Sequence, residues 1–275
     1  MERRVLMCAP EHFGVRYEIN PWMSTRVSPD GAIARVQWDA LARVYRDAGL
    51  TIETVVPHPD QPDLVFTANA GLVAGRRFLI SRFRHAERRG EEPIFDAWAR
   101  RAGFEVVAPP PGVFFEGAGD ALFCGETLFL GHGWRTEPEV QHWLEEVLSV
   151  PVVGLKLADP RFYHLDTCFC PLGGGAALAA PVAFDADSWK LLERHVPRLI
   201  AVPEEVAVTF ACNAMPVDGR LVSSGPADAM ARLLEPAGLA PCEVAMSEFR
   251  KSGGAVRCLT LPLSGLGTQP PALAR

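Results

Sequence analysis

Along this chain the spacing of apolar residues switches between two periods in a recurring order. Between residues 35 and 48, Trp38, Leu41, Val44 with Tyr45, and Ala48 fall on one helical face, and Gly49 ends the run. Residues 52–56 then read as a strand, as do 64–66, and 71–74 with 77–81 read as a hairpin turning at Gly75-Arg76. The order returns with a helix over 91–102 that turns Ile94, Phe95 and Trp98 inward, a strand over 104–107, and strands over 121–123 and 127–130 around Cys124-Gly125-Glu126. A third round predicts a helix over 137–148 and strands over 152–157, 167–171 and 176–180, with Gly173-Gly174-Gly175 at the turn.

Two weaker rounds follow. One has a helix over 186–195 with strands over 199–202, 206–210 and 221–223. The other has a helix over 227–236 with strands over 242–245 and 256–263. Five helices at similar intervals, each among short strands, imply a structural repeat without a sequence repeat. A strand over 4–8 is placed to close the last unit onto the first. No low-complexity linker interrupts the chain, and Pro109-Pro110-Pro111-Gly112 is long enough only to turn a loop, so one α/β domain over residues 1–275 is expected.

Composition narrows the function classes. A chain of 275 residues that is 48% hydrophobic and 22% charged is that of a soluble globular protein. A formal charge of -6 gives no general attraction for nucleic acid or anionic membrane. No apolar run reaches spanning length, and Val5 to Ala9 is too short for a signal peptide core. Seven scattered cysteines, an odd number, fit a reducing cytoplasm better than a disulfide scaffold.

One of those cysteines opens the chemistry. Cys258 follows the turn Ser252-Gly253-Gly254 and is expected to begin an alternating strand, with Arg257 beside it favouring the thiolate. In Phe114-Phe115-Glu116-Gly117-Ala118-Gly119-Asp120, two carboxylates lie among small residues that let a ligand approach the backbone. In Tyr163-His164-Leu165-Asp166-Thr167-Cys168, His164 and Asp166 share one face if the segment is a strand. His164, Cys168 and Cys170 lack zinc-ligand spacing, so no metal is expected. A nucleophile, a group that titrates near neutrality and a carboxylate-lined pocket for a cation together describe a cysteine hydrolase. The Cys-first order and nucleophile motif of papain-like proteases are absent, and carboxylates suit a developing oxyanion poorly.

At these residues the chain resembles the guanidine-modifying superfamily of arginine deiminases, dimethylarginine dimethylaminohydrolases, amidinotransferases and arginine dihydrolases. The likeness rests on Pro62-Asp63-Leu64-Val65-Phe66-Thr67-Ala68-Asn69-Ala70-Gly71, the Glu116 loop, Gly133-Trp134-Arg135-Thr136, His164-Leu165-Asp166 and the glycine turn into Cys258. It implies a five-bladed α/β-propeller (pentein) of ββαβ units with the site on its axis, which agrees with the five rounds above. It implies Cys258 as nucleophile, His164 as proton carrier, and Glu116 and Asp166 as holders of the guanidinium. It further implies Phe66 against the guanidinium plane, Arg88 and Arg135 on an α-carboxylate, Asp63 on an α-ammonium, and Asn20 and Asp120 as further substrate contacts. The partner implied is a small guanidino compound, with no cofactor; a homo-oligomer is compatible.

Dimethylarginine hydrolases carry acids where this chain has Ala68 and Asn69, and deiminases carry an Asp at the position of Asn69. An amide donates as well as accepts, so Asn69 suits a neutral ureido oxygen that a carboxylate would repel. With the opening Cys8-Ala9-Pro10-Glu11-His12-Phe13-Gly14-Val15-Arg16-Tyr17, this is most similar to arginine dihydrolases, which take arginine to ornithine, carbon dioxide and ammonia. Citrulline release by a deiminase or dimethylarginine hydrolase, amidino transfer, and a noncatalytic ligand-binding member of the fold remain the alternatives.

Overall fold

A parallel pair of strands needs a crossover, and here each crossover is an amphipathic helix. The computed structural model describes residues 2–264. In chain order its elements are β1 (Arg4–Cys8), α1 (Gly31–Asp47), β2 (Thr51–Val55), β3 (Gly71–Ala74), β4 (Arg77–Ile80), α2 (Glu92–Arg101) and β5 (Glu105–Val107). There follow β6 (Ala121–Cys124), β7 (Thr127–His132), α3 (Val140–Leu148), β8 (Val152–Lys156), β9 (Phe169–Gly173), β10 (Ala176–Ala179), α4 (Ala186–His195) and β11 (Arg198–Ala201). The last are α5 (Glu204–Ala207), β12 (Met215–Val217), β13 (Arg220–Ser223), α6 (Ala227–Leu234), β14 (Ala240–Glu243), α7 (Ser247–Arg250) and β15 (Leu261–Ser264).

Among the described residues the strands form five three-stranded sheets of one pattern, β3-β4-β5, β6-β7-β8, β9-β10-β11, β12-β13-β14 and β15-β1-β2. In each, an antiparallel pair is followed by a helix and a parallel third strand, so five ββαβ units are present, as the helix count predicts. The fifth is assembled from both ends of the described chain, with β15 antiparallel to β1. First strands of neighbouring units touch, β15 with β3, β6 with β9 and β9 with β12, and β3 and β6 are buried along their whole length. The helices pack against the third strands, α1 on β2, α2 on β5, α3 on β8 and α6 on β14. α1 buries Ala34, Trp38, Leu41, Ala42 and Tyr45, and Asp30 caps it by accepting from the backbone N–H of Ala32 and Ile33.

Three expected strands are something else. Leu64 and Val65 belong to a 3-10 turn, Pro62–Val65, opened by the fixed φ of its proline and capped by Phe66. Residues 206–210 are not a strand: α5, with Glu204 and Glu205 in its first turn, occupies the start of that apolar run, and the pairing strand is β12. A short buried apolar run does not distinguish strand from helix by its period, and two acids after a proline favour a helix start. Residues 256–260 form hydrogen-bonded turns, Leu259 N–H to Ala255 at 3.2 Å and Thr260 N–H to Arg257 at 3.0 Å, so the strand begins only at Leu261. No helix among the described residues is long and apolar enough to cross a membrane.

Candidate active site

Short turns ahead of the sheets are what build the site. The 3-10 turns Pro62–Val65, Thr67–Ala70, Gly117–Gly119 and Leu165–Thr167 precede the first strands of their units and carry Asp63, Asn69, the Glu116 loop and Asp166. Gly117 takes φ +62, and a Cβ there would sit 2.7 Å from the backbone of Gly71, so glycine is what lets these two turns meet. His164 is extended, but Leu165–Thr167 curls into a 3-10 turn, so His164 and Asp166 do not share a strand face.

Two buried clusters result. In the first, His164 Nε2 lies 2.7 Å from Glu116 Oε2, Arg135 Nη1 donates to the same oxygen at 3.1 Å, and the Arg84 backbone N–H reaches Oε1 at 3.2 Å. Burial opposes the Glu116 charge, but Arg135 and the bond from His164 outweigh it and hold the carboxyl well below its usual range. Burial pulls His164 down to about 4 against the pull of Glu116, so at neutral pH a neutral ring donates Nε2–H to a carboxylate.

In the second cluster, the Cys258 thiol donates to Asp166 Oδ2 at 3.3 Å and accepts from Asn213 Nδ2 at 3.0 Å. Asn213 also gives an N–H to the Asp166 carbonyl, while its Oδ1 accepts the backbone N–H of Ala255, Arg257 and Cys258. Asp166 Oδ1 is buried and has no partner in the structure, which leaves an acceptor for a ligand N–H. Burial raises the Asp166 carboxyl to about 7 although Arg257 opposes the shift.

The expected thiolate is corrected. Burial, then the Asp166 charge, push the Cys258 thiol well above its usual value. Arg257 does not sit on the sulfur; its Nη1 lies 2.8 Å from Met215 Sδ, and it lines an apolar cavity with Phe169, Cys170 and Leu261. Arg257 and Cys258 are consecutive residues of the hydrogen-bonded turn 256–260, and within it the guanidinium is directed to Met215 while the sulfur meets Asp166 and Asn213.

Asn20, Asp63, Phe66, Asn69, Arg88, Arg135 and Cys258 line one pocket together with Ile19, Met23, Tyr163 and Ser252. Asp63 accepts the Tyr17 hydroxyl at 2.8 Å and that of Ser252 at 3.3 Å, and burial raises its carboxyl. Both arginines are buried and already paired, Arg88 with Glu91 and Arg135 with Glu116; burial raises Glu91 to about 7 against the pull of Arg88. Arg135 also donates to the Ile19 carbonyl and lies over the Tyr163 ring, tying the loop that carries Asn20 across the pocket. Glu116, His164, Asp166 and Asp120 lie outside that lining. Asp120 comes within 4.0 Å of His164 Nε2 and accepts from Thr136 Oγ1 at 2.7 Å and the Leu165 N–H at 3.0 Å, bonds that hold the turn. Asn213, Tyr163, Ser252 and Glu91 escaped the sequence reading; a lone asparagine inside Phe210-Ala211-Cys212-Asn213-Ala214-Met215 was the one signal for the first.

Fold and pocket define a cysteine-centred site of the guanidine-modifying superfamily. The family model described as N,N dimethylarginine dimethylhydrolase, eukaryotic, matches residues 20–264, and the chain belongs to that family. It is 44% identical over 263 residues, 94% of its length, to the bifunctional arginine dihydrolase/ornithine cyclodeaminase ArgZ of Synechocystis sp., of which it spans 37%. It is 36% identical to the N(G),N(G)-dimethylarginine dimethylaminohydrolase of Mycobacterium tuberculosis over 261 residues, 95% of this chain and 86% of that one. Among solved structures, the substrate-bound N-terminal domain of ArgZ, an arginine dihydrolase, superposes with a TM-score of 0.93 at 43% identity, covering 98% of this chain and 99% of that one.

Proposed function

We propose that the protein hydrolyses the guanidinium group of arginine twice at Cys258, giving ornithine, carbon dioxide and two molecules of ammonia. The observation that carries this reading is Asn69, an amide where a deiminase has a carboxylate, lining the pocket beside Cys258. The likeness to ArgZ supports it.

In this reading the guanidinium lies between Glu116 and the free oxygen of Asp166, with Phe66 against its plane. The substrate brings the positive charge that the resting thiol lacks, so ionisation of Cys258 is coupled to binding. Sulfur adds to the guanidinium carbon, and the thiol proton passes through His164 to the departing nitrogen, which leaves as ammonia. His164 then takes a proton from water, the oxygen adds to the thiouronium carbon, and the C–S bond breaks to give the ureido product. A second addition of sulfur at the ureido carbon expels the second ammonia. Water cleaves the resulting S-carbamoyl group to a carbamate, which loses carbon dioxide. Arginine and two waters thus account for ornithine, carbon dioxide and two ammonia.

The test is product analysis by mass spectrometry of purified protein incubated with arginine, where ornithine with two equivalents of ammonia is expected and citrulline alone would replace the reading by a deiminase. Asn69→Asp is expected to shift the product to citrulline or remove activity, because an anionic oxygen would then face the Glu116 carbonyl, which Asn69 Nδ2 now approaches at 3.4 Å; unchanged ornithine yield removes the argument from the amide. The family match favours one second reading, release of dimethylamine from dimethylarginine, which the same assay tests with that substrate.

The pH profile follows from Asp166. With its carboxyl raised to about 7, free protein below that pH holds it protonated, and binding a cation there must expel the proton. The value of kcat/KM for arginine should therefore fall about tenfold per unit as pH drops below about 7 and level off above it. Asp166→Asn should lower kcat/KM and abolish that limb; a wild-type profile flat from pH 5.5 to 8 contradicts the assignment.

A further inference from the structure

A buried ion pair beside the pocket bears on which product leaves. Glu91 ends the 3-10 helix Ala86–Glu91 and has no exposed surface. It grips Arg88 with both oxygens, Nε to Oε1 at 2.7 Å and Nη2 to Oε2 at 2.8 Å. The Phe83 ring lies 4.4 Å from the guanidinium carbon of Arg88 and completes the grip. Held so, Arg88 aims Nη1 at Asn69 Oδ1, 2.9 Å away, and Nη2 at the Asp63 carbonyl at 3.3 Å.

An amide is nearly symmetric in shape, and only its hydrogen bonds decide which end faces which way. Here a cation occupies the oxygen, so the nitrogen must face the Glu116 loop. Space enforces the same choice of position: a Cβ on residue 119 would collide with Asn69 Nδ2, and only glycine leaves it room. Turning the amide over would set its N–H groups against those of Arg88 and lose a charge-assisted bond.

We propose that Glu91 is a positioning residue for product choice: through Arg88 it fixes Asn69 with its nitrogen at the Glu116 loop, where one N–H goes to the Glu116 carbonyl at 3.4 Å and the other is kept for the neutral ureido oxygen of the first product, which is thereby retained for the second hydrolysis. This rests on the two-step reading above. Arg88, its charge already balanced by Glu91, then acts on the amide at least as much as on a substrate carboxylate.

The test is the ornithine-to-citrulline ratio at saturating arginine and pH 8, above the raised titration of Glu91, for wild-type protein, Glu91→Gln and Arg88→Lys. Glutamine cannot offer two anionic oxygens, and lysine can reach Glu91 but not Asn69 at the same time. Either folded variant should lower the ratio about tenfold or more, the loss expected of one hydrogen bond to a charged group, while arginine consumption falls less. Arg88→Lys serves alone if Glu91→Gln does not fold. A folded variant with an unchanged ratio, or with both products reduced in parallel as a purely structural defect would give, overturns the proposal. Wild-type protein that releases only citrulline overturns the two-step reading itself, and this inference with it.

Discussion

Serine in place of Cys258 is expected to lower turnover of arginine by about 10⁴-fold or more while moving the melting temperature by no more than a few degrees. The size of the loss follows from the step being asked of the side chain. A hydroxyl is a far weaker acid than a thiol, and this site already works against ionisation through burial and the Asp166 charge. A group that barely ionises as sulfur will not do so as oxygen. The fold should survive because the hydroxyl inherits the same two partners, Asp166 as acceptor and Asn213 as donor. Intact-mass analysis of quenched reactions should show an adduct on wild-type protein and none on the variant. Turnover near the wild-type rate would remove Cys258 as the nucleophile.

The second large effect is expected at Asn213. Its amide makes five contacts around Cys258, three accepted from backbone N–H groups and two donated, one of them to the sulfur. Asn213→Ala leaves those buried backbone donors unpaired and should cost about 3 kcal/mol of stability. Asn213→Asp separates architecture from chemistry. One carboxylate oxygen can still accept the three backbone donors, but the other faces both the Cys258 sulfur and the Asp166 carbonyl. That variant should fold better than the alanine and still lose about 10²- to 10³-fold in kcat/KM, the loss typical of a preorganised donor aimed at developing charge. Its thiol should also be alkylated by iodoacetamide only at higher pH than wild type. Activity of Asn213→Asp within threefold of wild type would show that the amide merely shapes the turn.

These two residues mark the boundary of what was legible in the chain. Glu116 stands in a small-residue loop and Cys258 follows a glycine turn, local signals for close approach, His164 stands two residues from an acid, and periodicity alone predicts the five repeated units. Asn213 is buried in an apolar run that reads as core, and its partners lie 42 to 47 residues away, so no local pattern could announce it. Arg257 misled for the opposite reason: adjacency in sequence suggested a contact with the sulfur, but the turn over 256–260 sends the guanidinium to Met215 instead. Asp120 and Arg88 are legible as polar residues of the site, but whether a carboxylate or guanidinium serves the ligand or the scaffold depends on partners 16 to 45 residues away, Thr136 and Leu165 for one and Asn69 for the other.

The pairing of Arg4 with Ser264 makes the order of synthesis matter. A ribosome releases the carboxylates, the histidine and the amide of the pocket long before it releases the sulfur, and the sulfur is delivered by the segment that must find the earliest strand. A contact between such distant residues carries a large loop-closure cost and forms late. Cys258 therefore joins Asp166 and Asn213 only after the rest of the pocket has been made. Under the proposed chemistry, a product that stops short of Cys258 would be inert rather than misdirected.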